Sequence, residues 1–196
     1  MARTRDFDLD QAVDRAMLLF WRKGYEGTSL TDLTEAMGIN RPSLYAAFGS
    51  KEGLFQRAVE RYLAGPGSCV QDALKAPTAR GVFEHLLQVY CDVPGKDDER
   101  PAGCMMVQGA LVCSEESAAV QKQLLDIRQH GADLVRERFR RAKAEGDLPA
   151  DESPAELARY VWTICNGLSV QAASGATRAE LKRVAARALA AWPTSK

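Results

Sequence analysis

Three short helical segments follow one another within the first fifty residues of the chain, and each of them is ended by a glycine. Ser29 and Asp32 have the spacing of a capping box, which marks the start of the second segment. Asn40 is suited to cap the third, and Pro42 falls in its first turn, where a helix tolerates proline. Gly38 provides an end between the two. The spacing therefore predicts short helices joined by tight turns.

Apolar residues recur at helical spacing along the rest of the chain, and no stretch shows the sustained alternation of a strand. We expect an all-α fold of about nine to ten helices. A three-helix N-terminal domain (residues 1–60) would precede a C-terminal helical bundle (residues 61–196), and Gly65-Pro66-Gly67 would be a break between helices. Predicted helices of the bundle cover residues 78–91, 102–113, 116–143, 154–173 and 178–191.

Charge and cysteine content limit the possible classes of protein. The 26 Lys and Arg are matched by 26 Asp and Glu, so nucleic-acid binding would have to depend on local charge placement. The five cysteines are widely spread, with no C-x-x-C pair, which is typical of reduced thiols rather than a disulfide framework. The N-terminus lacks the apolar core of a signal peptide, and no run approaches the roughly 18 apolar residues of a membrane span. We expect a soluble, cytoplasmic protein with no membrane partner.

The third helical segment has the properties of a helix that enters the major groove of DNA. Leu44 and Phe48 are four residues apart, so they share one face and would anchor the helix to the core. The small residues away from that face would let the backbone approach base edges closely; they are Pro42, Ser43 and Ala46. With the second segment as its support, this arrangement predicts a helix-turn-helix.

The charges of this segment are few but suitably placed. Arg41 stands at the helix start, where it would donate to a guanine edge, and Tyr45 lies on the flank, within reach of a phosphate. Lys51 opens the next helix beside free backbone N–H groups, which predicts a second phosphate contact. Arg3 and Arg5 could reach an adjacent minor groove as an arm. The alternative is a helical hairpin in an ordinary all-α protein, with these cations merely solvated.

These residues resemble a known family. The N-terminal part is similar to the DNA-binding domain of the TetR family of transcriptional regulators over about residues 7–60, and the remainder is similar only in helical layout. The motifs that carry the resemblance are Gly24-Tyr25-Glu26-Gly27-Thr28-Ser29-Leu30, Ala36-Met37-Gly38-Ile39, Ser43-Leu44-Tyr45, Phe48, and Ser50-Lys51-Glu52-Gly53-Leu54-Phe55.

The resemblance implies a two-fold dimer on a near-palindromic operator, with repression relieved by a small-molecule effector. Carried over by position, the groove-facing candidates are Thr31, Arg41, Pro42, Ser43 and Tyr45, and the phosphate-contacting candidates are Ser29, Tyr45 and Lys51. Ala47 stands where some members have a larger DNA-contacting side chain. Base readout from that position is therefore in doubt, and more of the specificity would fall on Arg41.

The C-terminal part would supply the dimer and the effector pocket. The helices over residues 116–143 and 154–173 are the expected homodimer pair, because the second carries small residues that allow close approach of helices. The alternative is that both helices bury their apolar stripes within the monomer. The family layout implies a mostly apolar pocket between the middle helices. Its predicted lining residues, each of which could equally be plain core, are Phe83, Leu87, Cys104, Met105, Met106, Gln108, Leu111 and Trp162.

Cys104 stands at a predicted helix start, where free N–H groups and the helix dipole favour a thiolate. It is therefore a candidate sensor of electrophiles or oxidants, or else a small buried hydrophobe. His85 and His130 show no metal-ligand spacing, so we expect no metal and no cofactor. No catalytic motif supports an enzyme. A regulator without an effector is a further alternative, which a core with no cavity above about 300 Å³ would favour.

Overall fold

The computed structural model describes residues 8–95, 98–109 and 117–194, and over these ranges it is helical with no strand, which confirms the all-α prediction. None of the described helices is long and apolar enough to cross a membrane. Arg3 and Arg5 lie outside the described residues. The helices are α1 (Leu9–Lys23), α2 (Leu30–Met37), α3 (Arg41–Phe48), α4 (Lys51–Ala64), α5 (Cys69–Ala73), α6 (Ala79–Tyr90), α7 (Met105–Gly109), α8 (Ala118–Ala144), α9 (Pro154–Ala173) and α10 (Arg178–Ala190), with a 3₁₀ turn at Pro66–Ser68.

The first three helices each begin on a side-chain cap, and the caps of the second and third are the predicted ones. The Asp8 side chain caps α1. Ser29 and Asp32 form both halves of the capping box at α2, and the Asn40 side chain caps α3. Gly38, between α2 and α3, has a φ of 70°, a left-handed conformation that glycine adopts without strain. Local chemistry thus fixes the turn between the two helices.

Two segments differ from the prediction. The chain continues from Gly65 into the 3₁₀ turn and the short helix α5, where only a break was predicted. The helix predicted over residues 102–113 begins later, at Met105, because Gly103 has a φ of 83°, which is incompatible with a helix. Leu111 and Cys113 lie outside the described residues.

Among the described residues, the buried apolar side chains form two clusters. The first cluster contains residues of all four N-terminal helices, such as Phe20, Leu44 and Phe55. It also includes Met106 of α7 and Leu124 of α8. The second lies between α6, α8, α9 and α10. Helix α4 continues past residue 60, so the division of domains there stays a prediction. Because α7 and the start of α8 pack on the N-terminal helices, a displacement of α7 would change the packing of the first cluster.

Candidate nucleic-acid interface and internal cavity

Helix α3 presents one side to the core and the other to solvent. Leu44 is fully buried, and Phe48 is partly buried against the same cluster. On the opposite side, Tyr45 is 47% exposed, and Pro42 and Ala46 are also exposed. The helix is therefore held by its apolar face and leaves a small-residue surface free, as major-groove entry requires.

Arg41 and Thr31 lie together at the edge of this surface. The Arg41 guanidinium donates a hydrogen bond to Thr31 Oγ1 at 3.1 Å, which links the first turn of α3 to the first turn of α2. Both residues are exposed, and Ser43 beside them is partly exposed. Three of the predicted groove-facing residues are thus brought to one place, and the contact with Thr31 restrains the guanidinium.

Ser29 is engaged within its own helix cap. Its hydroxyl donates to Asp32 Oδ2 at 2.7 Å and accepts from the backbone N–H of Asp32 at 3.0 Å. Lys23 pairs with the same carboxylate at 2.8 Å. Hydrogen bonds from Lys23 and Ser29 hold the pKa of Asp32 well below its usual range. The Ser29 hydroxyl proton is already used here, so a phosphate contact would need it to turn away from Asp32.

The Lys51 ammonium is held by a neighbouring side chain, which its sequence position does not indicate. Its ammonium lies 4.3 Å from the centre of the Tyr25 ring, a cation–π contact. Burial lowers the pKa of Lys51, and the nearby Glu26 carboxylate acts against that effect. Helix α4 begins at Lys51 on the Ser50 cap. The contact with Tyr25 thus positions the charge beside a helix N-terminus.

A cavity of about 530 Å³ lies where the two apolar clusters meet. Trp21 of α1 and Tyr62 of α4 line it from the N-terminal side, and Trp162 of α9 from the other. Its volume falls within the usual range for small-molecule sites. One wall depends on Gly131 of α8, because a Cβ atom there would lie 2.8 Å from the Trp162 ring.

The structure separates the predicted pocket residues into two groups. Cys104, Met106 and Trp162 line the cavity, whereas the other four described residues do not. Those four are occupied elsewhere: Phe83 stacks with Trp192 in the second cluster, Leu87 is buried in the same cluster, Met105 is buried in the first cluster, and the Gln108 amide donates to the Ala102 carbonyl at 2.9 Å. An apolar helical stripe does not distinguish a core residue from a pocket residue, so the sequence predicts both kinds alike.

Three polar atoms of the lining are buried without a hydrogen-bond partner among the described residues. They are Nε1 of Trp21, Nε of Arg128 and Oδ1 of Asn166. Sequence reasoning missed all three. Arg128 stands four residues after Leu124 on an otherwise apolar stripe of α8, and that interruption was the available signal. Asn166 lies outside the apolar stripe of α9 and gave no such signal. Trp21 gave none, because its place in the lining follows only from the packing of α7 over α1.

Cys104 lies in this cavity beside phenol and thiol groups. The Tyr62 hydroxyl donates to Cys104 Sγ at 3.5 Å, and the Cys104 backbone N–H donates to Ser169 Oγ at 2.7 Å. Burial raises the pKa of Tyr62 well above its ordinary value, and burial raises that of Cys69 to about 11. Tyr62 therefore stays protonated and acts as a donor. The thiol is partly exposed and accessible from the cavity.

Comparison with known proteins gives matches over both parts of the chain. Residues 12–58 match the family model for bacterial regulatory proteins of the tetR family, and residues 80–189 match the model for the tetracyclin repressor-like C-terminal domain. The HTH-type transcriptional repressor ComR of Escherichia coli (strain K12) is 30% identical over 207 residues, which cover 97% of this chain and 91% of ComR.

Solved structures are similar over nearly the whole length. A cysteine mutant of the TetR family transcriptional regulator CifR, complexed with 26bp double-strand operator DNA, has a TM-score of 0.89 and 48% identity, and the match covers 97% of this chain and 100% of CifR. A putative TetR transcriptional regulator from Rhodococcus sp. RHA1 has a TM-score of 0.60 and 42% identity, with 96% and 100% coverage.

Proposed function

The chain belongs to the TetR family of transcriptional regulators, and we propose that it is a repressor that binds a near-palindromic operator as a dimer and is released by a small molecule. One observation supports this proposal most strongly, the packing between α3 and the cavity. In the described structure the exposed, small-residue helix α3 packs on α4, α4 packs on α1, and both α1 and α4 line the cavity of about 530 Å³.

Operator binding is supported by the surface of α3 and by the relatives. ComR is named a repressor, and CifR is bound to operator DNA in its solved structure. In this chain the groove would be entered by α3, with Arg41 and Thr31 at its leading edge and Tyr45 and Lys51 toward the phosphates. Because a bacterial operator is reached in the cytoplasm, we propose that the protein acts there.

The dimer is best supported by the outer faces of α9 and α10. Val170 and Val184 are exposed there, at 39% and 49%, and a Cβ added to Gly167 would meet nothing within 4 Å. The outer face of α8 also exposes Leu125, but it carries ion pairs along the helix, such as Lys122–Asp126 at 2.6 Å, which are typical of a solvated surface. We therefore propose α9 and α10 as the dimer pair, in place of the expected α8 and α9.

Release would work through α1 and α4, because both line the cavity, α4 packs on α3, and α1 packs on α2. Helix α4 begins at Lys51 beside the DNA surface and carries Tyr62 in the cavity. Helix α1 carries Trp21 in the cavity and, two residues on, Lys23, which pairs with Asp32 of α2. A ligand that wedges between Trp21, Tyr62 and α9 would tilt these helices. The distance between the two α3 helices of a dimer would then no longer match the operator.

A constitutive regulator without an effector fits this structure less well. That alternative predicts a collapsed core, whereas the cavity exceeds the threshold of about 300 Å³ and holds unpartnered polar atoms. The relatives are named as regulators rather than enzymes, and we propose no catalytic role for the thiol.

Filling the cavity is expected to separate DNA binding from release. Leu134 lines the cavity, so Leu134→Trp should occupy ligand volume while the operator affinity, measured by fluorescence anisotropy, changes by less than about threefold. Release by any effector of the parent should fall by tenfold or more, since the ligand must then displace an indole. Leu125→Trp on the exposed side of the same helix is the control. Release that is equal in Leu134→Trp and the parent would exclude this cavity as the effector site.

An electrophilic effector is a second chemistry for the same site, favoured by the contact between Cys104 and Tyr62. The thiol would add to the β-carbon of an enone, forming a carbon–sulfur bond, and its proton would end on the α-carbon. We expect Cys104→Ser to bind operator normally and to lose release by electrophiles, as measured by anisotropy and by intact-protein mass. Cys91→Ser, at a buried thiol outside the cavity lining, is the matched control. Unchanged release from the Cys104→Ser protein would contradict thiol sensing.

A further inference from the structure

The charges that line the cavity are compensated by neighbours, with one exception. Arg100 pairs with Asp98 at 2.6 Å, Asp92 pairs with Arg178 at 2.5 Å, and Asp126 pairs with Lys122 at 2.6 Å. Arg128 of α8 has no ion pair with any described residue, and its buried Nε donates to none of them. Among the described residues that line the cavity, Arg128 is thus the charged side chain without an oppositely charged partner.

A buried guanidinium N–H without an acceptor costs more free energy than a neutral donor, because a charged group loses more hydration. The neighbouring lining adds a second unpartnered donor, the indole N–H of Trp21, and one unpartnered acceptor, the Asn166 oxygen. Most of the remaining wall is apolar and includes Met106 and Trp162, and its other charged side chains are the ion-paired ones named above. An occupant that satisfies this wall needs an anionic acceptor at one end and a hydrocarbon body.

Resting on the effector role proposed above, we propose that the ligand is an amphipathic carboxylate whose carboxylate oxygens accept from Arg128. Trp21 supplies a further donor in the same cavity, and the Asn166 oxygen accepts from a hydroxyl or N–H on the ligand where one is present. A neutral ligand of the same shape fills the volume but leaves the guanidinium uncompensated. Arg128 therefore determines the chemical class that the cavity selects, and the apolar wall determines the size.

The test compares acids with their own amides on the full-length protein. Octanoate and phenylpropanoate are titrated against octanamide and phenylpropanamide at pH 7, with binding measured by calorimetry and by the fluorescence of Trp21 and Trp162. We expect each acid to bind at least about tenfold more tightly than its amide, since a charge-assisted hydrogen bond is about twice as strong as a neutral one. Arg128→Gln should abolish this preference, and Arg128→Lys should retain part of it.

Arg136→Gln is the matched control, because Arg136 is exposed on the same helix and pairs with Asp133 at 2.9 Å; the preference for acids should survive in it. Equal binding of acid and amide, an unchanged preference in Arg128→Gln, or no binding by either acid would each overturn the inference. Anisotropy on operator DNA is measured in parallel. Operator release by neutral or electrophilic compounds alone would leave the proposed function intact while excluding a carboxylate effector. If no compound releases the operator, calorimetry still shows whether the cavity binds carboxylates in preference to amides.

Discussion

Replacing Gly167 with arginine is expected to abolish tight operator binding without unfolding the protomer. A side chain at this position meets nothing within 4 Å in the protomer, so the fold has space for it. In the proposed dimer the same side chain would project between α9 and its partner copy. A protomer that engages one half-site loses the effective concentration that the second head supplies, and we expect an affinity loss of about 10²–10⁴-fold.

Analytical ultracentrifugation and anisotropy measure the two consequences of Gly167→Arg together, and circular dichroism reports whether the helices are retained. Gln129→Arg adds the same charge to the exposed face of α8 and serves as the control. We expect it to remain dimeric and to bind operator as the parent does. A Gly167→Arg protein that is still a dimer with parental affinity would show that α9 does not form the interface.

The second large effect is expected from Arg41→Ala, which removes the guanidinium at the leading edge of α3. A bidentate contact with a guanine contributes about 1–3 kcal/mol of discrimination, and a dimer would lose it at both half-sites. Thr31 restrains the guanidinium at 3.1 Å before DNA binds, so the parent loses little side-chain entropy on binding. We expect weaker binding to the selected operator and relaxed preference at one base pair of each half-site.

Competition assays with operator and random duplexes distinguish base readout from phosphate contact at Arg41. Arg80→Ala is the control, because Arg80 is exposed on α6, outside the DNA-binding helices, and pairs with Glu84 at 2.9 Å. An equal loss of affinity on operator and random DNA would show that Arg41 contacts only the phosphate backbone. Thr31→Ala should give a smaller loss in the same direction.

The N-terminal helices could be predicted from sequence because their boundaries depend on local chemistry. The caps at Ser29 and Asn40 and the left-handed Gly38 each act within a few residues, so spacing alone determines them. The buried Leu44 follows from helical periodicity in the same way. The engagement of Ser29 with Asp32 follows from the same capping box, although the sequence interpretation also gave Ser29 a phosphate role.

The cavity could not be predicted to the same extent, because its walls come from residues far apart in the chain. Trp21 and Tyr62 belong to the N-terminal helices, yet they line the cavity because α7 begins after Gly103 and packs over them. The apolar stripe of α6 has the same sequence pattern whether its residues pack against Trp192, as Phe83 does, or face a ligand. Only tertiary packing separates the two outcomes.

Selection from random duplex DNA on the purified full-length protein tests the central claim most directly. The account predicts enrichment of a near-palindrome whose half-sites are separated by about one helical turn or a multiple of it, bound by two chains per pair of half-sites. A single unrepeated half-site bound by one chain, or no enriched sequence at all, would contradict an operator-binding dimer.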